Sequence, residues 1–338
     1  MPRSTWNPPS PFQSTTVDWE GPAPSARLKI LEDDSQGILS RNDAPDVPFA
    51  WGLNPYRGCT HACAYCYARR FHELLGFGAG TDFETRVVVK RRAAELLEAA
   101  FRKPSWKGEL VAFSGATDCY QPLERRYRLT RACLEVCARF RNPVAILTRS
   151  PLLVRDLDVL LELHRHRIVG VSMSIPILDR HTCQALEPGA PLPAQRLRAV
   201  RALADAGLPV GVNIAPVIPG LNDRELPAIL KATRAAGARH AWMGRVRLAP
   251  SVAQVFEYRL RDRLGDIRAD SVLRRVEAAR DKGDAGWALT QRLFEVWHRR
   301  LGFEPRAKMP SESPFRVPGQ GRQLGLFGTQ ASASPLMP

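Results

Sequence analysis

Residues 54–67 read Asn-Pro-Tyr-Arg-Gly-Cys-Thr-His-Ala-Cys-Ala-Tyr-Cys-Tyr, which sets Cys59, Cys63 and Cys66 in the spacing C-x3-C-x2-C. Three thiolates this close in sequence can share one metal centre, and soft sulfur selects zinc or iron–sulfur. A structural zinc usually takes four protein ligands. No second CxxC or HxxxH follows at finger spacing, and within the loop only His61 joins the sulfurs. An iron–sulfur cube held by three cysteines leaves one iron without a protein ligand, open to substrate. Both metals stay open on these residues alone, with the cube the better fit.

Around this loop the chain alternates. Short apolar runs, rich in β-branched residues, occur at Phe49–Leu53, Leu110–Ser114, Val144–Thr148, Ile168–Ile175, Pro209–Ala215 and Arg239–Leu248. Helical periodicity follows each, near 64–75, 90–102, 125–140, 152–165, 194–206 and 224–236. Within RRAAELLEAAFR, Ala94, Leu97 and Phe101 share one helix face. Gly207 and Gly237 stand where helices five and six should stop. Six strand-then-helix units with right-handed crossovers predict an α/β fold, a parallel sheet curved into a partial barrel. In such barrels the C-terminal strand ends carry the chemistry. The cysteine loop follows the first of those strands.

On that spacing and position, the chain resembles the radical S-adenosylmethionine (SAM) superfamily and its partial (β/α)6 barrel. The resemblance implies a [4Fe–4S] cluster on Cys59, Cys63 and Cys66, with SAM chelating the open iron. It also implies reductive cleavage of the sulfonium to a 5′-deoxyadenosyl radical that abstracts a hydrogen atom, the chemistry belonging to the cofactor. Tyr65 fits as the aromatic residue that packs on the adenine. Ser114, Gly115, Ala116 and Thr117 end the second strand, where the superfamily receives the methionyl amino group. Small residues there let backbone approach a ligand. Arg149, at the third strand end, is the expected partner of the methionyl carboxylate, which a guanidinium matches bidentately. Ser172 and Ser174 lie two apart on one face of the fourth strand, able to bind ribose or carboxylate. Ala215-Pro216, opening the run Ala215–Gly220, resembles a shelf under the adenine.

A narrower likeness rests on Tyr65-Cys66-Tyr67, on Leu186-Glu187-Pro188-Gly189-Ala190-Pro191 followed by Arg196, and on Ala206–Gly211 with Ala215-Pro216. Together, across roughly residues 48–250, these resemble spore photoproduct lyase and its relatives. The resemblance implies DNA repair, with the tyrosines bracketing the third cluster cysteine, Tyr65 and Tyr67, relaying a radical and a cysteine at the second strand end donating hydrogen. Here Cys119 sits several residues late for that donor. Cys119, Tyr67 and Asp118 are the candidates for radical or proton handling. Asp118 and Glu187 read equally as a carboxylate pair for a ligand or as salt bridges. Cys133 and Cys137, at i and i+4 on an apolar helix, read as small core residues.

Composition sets the wider frame. Lys+Arg number 49 and Asp+Glu 34, a net +15 with pI near 10.1, which suits a polyanionic partner or simply an arginine-rich surface. Arg125, Arg126, Arg128, Arg131, Arg139 and Arg141 cluster, as do Arg259, Arg261, Arg263, Arg268, Arg274 and Arg275. DNA is the expected nucleic acid. No apolar run reaches membrane-span length, and the start lacks an apolar signal core. Seven cysteines do not read as a disulfide framework. The expectation is a cytoplasmic protein without a membrane partner, reduced by an electron donor such as flavodoxin or ferredoxin.

Four regions are expected: a disordered N-terminal arm at 1–45, the barrel at 46–250, a helical basic extension at 251–304, and a flexible tail at 305–338. In that tail Gln323-Leu324-Gly325-Leu326-Phe327 resembles the peptide by which bacterial DNA-processing proteins dock on the replication sliding clamp. Two alternatives remain: radical modification of RNA or protein, and a non-enzymatic zinc-bound DNA-binding module recruited by the clamp.

Overall fold

The computed structural model describes residues 4–12, 19–43, 49–113, 115–280, 285–305 and 313–319. Among the described residues ten strands appear: β1 (Lys29–Glu32), β2 (Leu39–Arg41), β3 (Trp51–Leu53), β4 (Tyr56–Arg57), β5 (Arg86–Val89), β6 (Val111–Phe113), β7 (Val144–Thr148), β8 (Val169–Ser174), β9 (Val210–Val217) and β10 (His240–Arg245). The main sheet runs β10-β9-β8-β7-β6-β3-β2. From β3 to β10 every pairing is parallel, so the six expected strands form the six-stranded partial barrel.

The two faces of this sheet differ because side chains alternate along each strand. Val169, Val171 and Met173 of β8, and Val210, Val212 and Ile214 of β9, pack in one apolar cluster with Leu160, Leu163, Val200 and Leu203 from the covering helices. Each such burial contributes about 1.5–3 kcal/mol. The other face carries Gly170, Ser172, Gly211, Asn213 and Ala215, small or polar side chains lining the concave interior. Gly211 is required there: a Cβ would come within 2.7 Å of the Trp242 indole.

Helix ends follow local chemistry. Gly207 and Gly237 take positive φ after the helices Pro193–Asp205 and Leu226–Ala235, and Leu208 and Ala238 then donate back to Leu203 and Thr233. On Ala93–Phe101 the buried face is Ala93, Leu97 and Phe101, with Ala94 only partly covered.

Several expectations are corrected. The N-terminal arm is not structureless: β1 pairs in parallel with β5, and β2 closes the main sheet edge against β3. Trp6 stacks on Tyr258 at 4.5 Å and exchanges hydrogen bonds with Thr81. In the tail, Phe315 packs against Phe101 and Phe140. These contacts join residues far apart in sequence, which local composition cannot reveal. The helix expected at 64–75 shrinks to Arg69–Glu73, because the cysteine loop needs irregular backbone, with Gly58 and Ala62 at positive φ. Among the described residues, 251–304 holds the helices Pro250–Leu264, Asp266–Ala278 and Ala285–Arg300, the first two separated at Gly265. Phe256, Leu260 and Val272 of these helices share a core with Cys63, Ala64 and Tyr65.

Candidate active site

The cysteine loop lies at the C-terminal edge of the sheet, held from two sides. From one side, Cys59 N–H donates to the Phe83 carbonyl (2.8 Å). From the other, the turn after helix Arg180–Leu186 grips it: Ala64 N–H donates to Leu186, and Gly189 N–H to His61. The cysteines are free thiols, Cys59 and Cys63 buried and Cys66 partly so.

At the end of β6, Gly115 accepts from the Tyr67 hydroxyl (2.5 Å), and Ala116 N–H donates to Asn54 Oδ1 (2.6 Å). Thr117 Oγ1 donates to the Tyr56 carbonyl (3.0 Å). The loop and this strand end are thus tied together, with Asn54 a support that sequence reading missed. Ser114 lies outside the described residues. Asp118 is fully engaged, accepting from Thr148 Oγ1 (2.6 Å), Arg149 N–H (2.9 Å) and Tyr120 N–H (2.9 Å), and facing His61 Nδ1 at 3.4 Å. It fastens β6 to β7. Cys119 is wholly buried in the main core, its carbonyl accepting from Thr130. Tyr67 is half exposed.

Arg149, at the β7 end, donates through Nη1 to Cys63 Sγ (3.0 Å), Tyr65 Oη (3.3 Å) and Glu187 Oε1 (2.9 Å). Glu187 also accepts from Tyr65 and Arg196, and Arg196 is wholly buried. The reading of Glu187 as a salt-bridge partner holds. Ser172 lines the interior face, and Ser174 is buried with its carbonyl accepting from Arg196 (3.2 Å). The Ala215–Pro216 bond is cis, and Asn222, a second missed support, donates to the Pro216 carbonyl (3.0 Å).

The electrostatics follow from burial opposed by charge. Burial would raise the Cys59 thiol, yet the neighbouring imidazolium of His61 brings it below its ordinary value. His61 is lifted to about 9 against its own burial by Cys59 and Asp118. Burial pushes Cys63 and Cys66 up, Arg149 partly opposing this. Burial also opposes ionisation of Glu187, but Arg196 and Arg149 bring it down to about 2. Asp118, likewise buried, stays well below the usual carboxylate range through His61, Arg149 and Thr148.

The loop suits an iron–sulfur group. It offers three thiols free of disulfides, a guanidinium aimed at one sulfur, and a buried Thr60 hydroxyl with no hydrogen-bond partner among the described residues. Among those residues no three or more His, Cys, Asp or Glu side chains group as one metal ion would require. A cube does not require this, since each thiolate binds a different iron.

The arginine clusters are partly spent on internal pairs. Arg131 meets Asp156 and Asp158, Arg139 meets Glu98, Arg259 meets Glu84, and Arg261 meets Glu257, Asp266 and Asp270.

Comparison with known proteins agrees with the fold. The radical SAM superfamily matches residues 53–233, and the chain belongs to that superfamily, whose cofactors are a [4Fe–4S] cluster and SAM. An uncharacterised protein of Mycobacterium tuberculosis is 42% identical over 198 residues, 58% of this chain and 58% of that protein. An uncharacterised protein of the Acidianus two-tailed virus is 35% identical over 181 residues, 52% of this chain and 58% of its own. The chain therefore spans less than two thirds of these relatives. Among solved structures, a tyrosine-to-phenylalanine variant of spore photoproduct lyase superposes with a TM-score of 0.59 at 13% identity, covering 86% of each chain. A variant of the same enzyme with bound AdoMet and dinucleoside spore photoproduct gives 0.54 at 15% identity, covering 71% of this chain and 68% of the other. At these identities the likeness is one of fold.

Proposed function

We propose that this chain is a radical SAM enzyme acting on nucleic acid, DNA first, in photoproduct-lyase-like repair. The observation that carries the reading is the cysteine loop fixed beside the β6 end through Tyr67 and Gly115. In this reading Cys59, Cys63 and Cys66 hold the cluster. When bound, the cluster supplies the electron that cleaves SAM into methionine and a 5′-deoxyadenosyl radical. Tyr65, Ser114, Gly115, Ala116, Thr117, Ser172, Ser174, Ala215 and Pro216 face or support the cofactor. Asp118 holds two strand ends in register. Half-exposed Tyr67, rather than buried Cys119, handles a radical or proton near substrate. The Trp242 indole on β10, beside Gly211 and Ser172, offers an aromatic face of the kind on which nucleobases stack.

The segment Gln323-Leu324-Gly325-Leu326-Phe327 would dock on the bacterial sliding clamp; these residues lie outside the described ones. A flavodoxin or ferredoxin would deliver the electron. No helix among the described residues is long and apolar enough to cross a membrane. The proposed compartment is the cytoplasm.

Anaerobic reconstitution with electron paramagnetic resonance (EPR), followed by deoxyadenosine assays against irradiated DNA, undamaged DNA and RNA, tests this reading. A cluster signal perturbed by SAM and product release dependent on irradiated DNA are expected. Release with RNA alone would move the substrate to RNA. Protein that takes up zinc, and neither iron nor sulfide, would leave only a DNA-binding module.

A further inference from the structure

Arg149 occupies the position that the superfamily likeness gives to a clamp for the methionyl carboxylate, but its side chain is already committed. One guanidinium nitrogen serves Cys63 Sγ at 3.0 Å, Tyr65 Oη at 3.3 Å and Glu187 Oε1 at 2.9 Å. Its backbone N–H is held by Asp118 at 2.9 Å.

The support behind it is equally fixed. Arg196 donates to Glu187 and to the carbonyls of Pro191 (2.8 Å) and Ser174 (3.2 Å), and neither Arg196 nor Glu187 has appreciable contact with water. Withdrawing Arg149 toward a mobile ligand would remove a donor from the Cys63 sulfur and a counter-charge from buried Glu187. Unpaired buried charge is costly.

We propose that Arg149 is a tuning residue: its guanidinium donates to the Cys63 sulfur and raises the reduction potential of the cluster, while Glu187 and Arg196 hold it in place. Reduction adds an electron to an anionic centre. A fixed positive donor on a ligating sulfur stabilises that added charge. The Leu186-Glu187-Pro188-Gly189…Arg196 signature then has a physical role. Its backbone grips the cysteine loop, and its two charged side chains fix the donor. The inference rests on the reading in which Cys59, Cys63 and Cys66 hold the cluster.

The test is an EPR-monitored redox titration of the reconstituted full chain without SAM. In Arg149→Gln the reduced-to-oxidised ratio at a given potential should fall at least tenfold, a midpoint more negative by about 59 mV for one electron. In Arg149→Lys, which keeps a cation but loses the fork shared with Tyr65 and Glu187, the midpoint should fall by less than in Arg149→Gln. An unchanged midpoint in Arg149→Gln, with weakened SAM binding, overturns the proposal and makes Arg149 the carboxylate clamp. Should Arg149→Gln fail to load iron, Arg149→Lys decides alone: a midpoint equal to or above the parent's overturns the proposal. Failure of the cluster reading looks different. The parent chain would then take up no iron, or Cys63→Ala would keep its full iron and sulfide, and both readings would fall together.

Discussion

Gly189 lies so close against the carbonyl of Thr60 that a Cβ there would overlap the oxygen. Its own N–H donates to His61 at 3.1 Å, so the turn after helix Arg180–Leu186 and the cysteine loop meet backbone to backbone. The neighbour is main chain, which cannot rotate aside as a side chain can.

Gly189→Ala should therefore displace the loop. Overpacking of this kind costs about 1–3 kcal/mol. The expected outcome is a lower midpoint temperature and less iron and sulfide retained per chain after reconstitution. A variant matching the parent in both measurements would mean that the loop yields without consequence.

The buried Glu187–Arg196 pair makes a second expectation. Removing one member strands the other's charge away from water, at a cost of about 3–5 kcal/mol. Arg149 also reaches Glu187 and will moderate this. Arg196→Leu should unfold at lower denaturant than the parent, whereas Arg196→Leu with Glu187→Gln should recover part of the loss. If the double variant is no better than the single, stranded charge is not the cause.

The same carboxylate sets an acid limit. Its folded value of about 2 lies below the ordinary 4.5, so its contribution is complete above 4.5 and disappears as pH falls toward 2. That difference corresponds to about 3 kcal/mol. The metal-free chain should lose stability across this window, and Glu187→Gln should flatten that part of the profile. Parallel profiles for the two proteins would contradict the assignment.

How far the sequence disclosed this arrangement depends on how local each feature is. The cysteine loop, the six barrel strands and the stops at Gly207 and Gly237 are written in neighbouring residues, and all stand where expected. The pairing of Lys29 on β1 with Arg86 on β5 has no such trace, because register between distant segments emerges only from the assembled fold. Glu187 and Arg196 stood out as part of a signature, yet their role needed Arg149, nearly forty residues earlier, to come into reach. Asn54 and Asn222 carried no signal at all. Amide side chains that fasten loops look like any other polar residue until their partners are in place.

Arginine count overstates the charge free to meet phosphate. Arg139 is committed to Glu98 at 2.6 Å, while Arg125 and Arg126 are exposed on the helix Glu124–Tyr127. If DNA lies across this face, Arg125→Ala with Arg126→Ala should flatten the salt dependence of affinity by about 0.9 for each phosphate left without its arginine. Arg139→Ala should change it far less. Equal effects from both, measured by fluorescence anisotropy across a salt series, would place the DNA elsewhere.

The segment Gln323–Phe327 offers an independent test of the repair setting, since it concerns recruitment rather than chemistry. A short peptide binds by seating a few apolar anchors in a pocket, and truncating such an anchor often costs 1 kcal/mol or more, roughly. Leu326 and Phe327 are adjacent anchors, so Leu326→Ala with Phe327→Ala should abolish capture of the purified bacterial sliding clamp by the full chain. Iron content and deoxyadenosine release should stay at parent levels, because recruitment and chemistry are assigned to different segments. Undiminished capture would remove the clamp as a partner for this segment, and loss of iron in the same variant would show that the tail contributes to the fold instead.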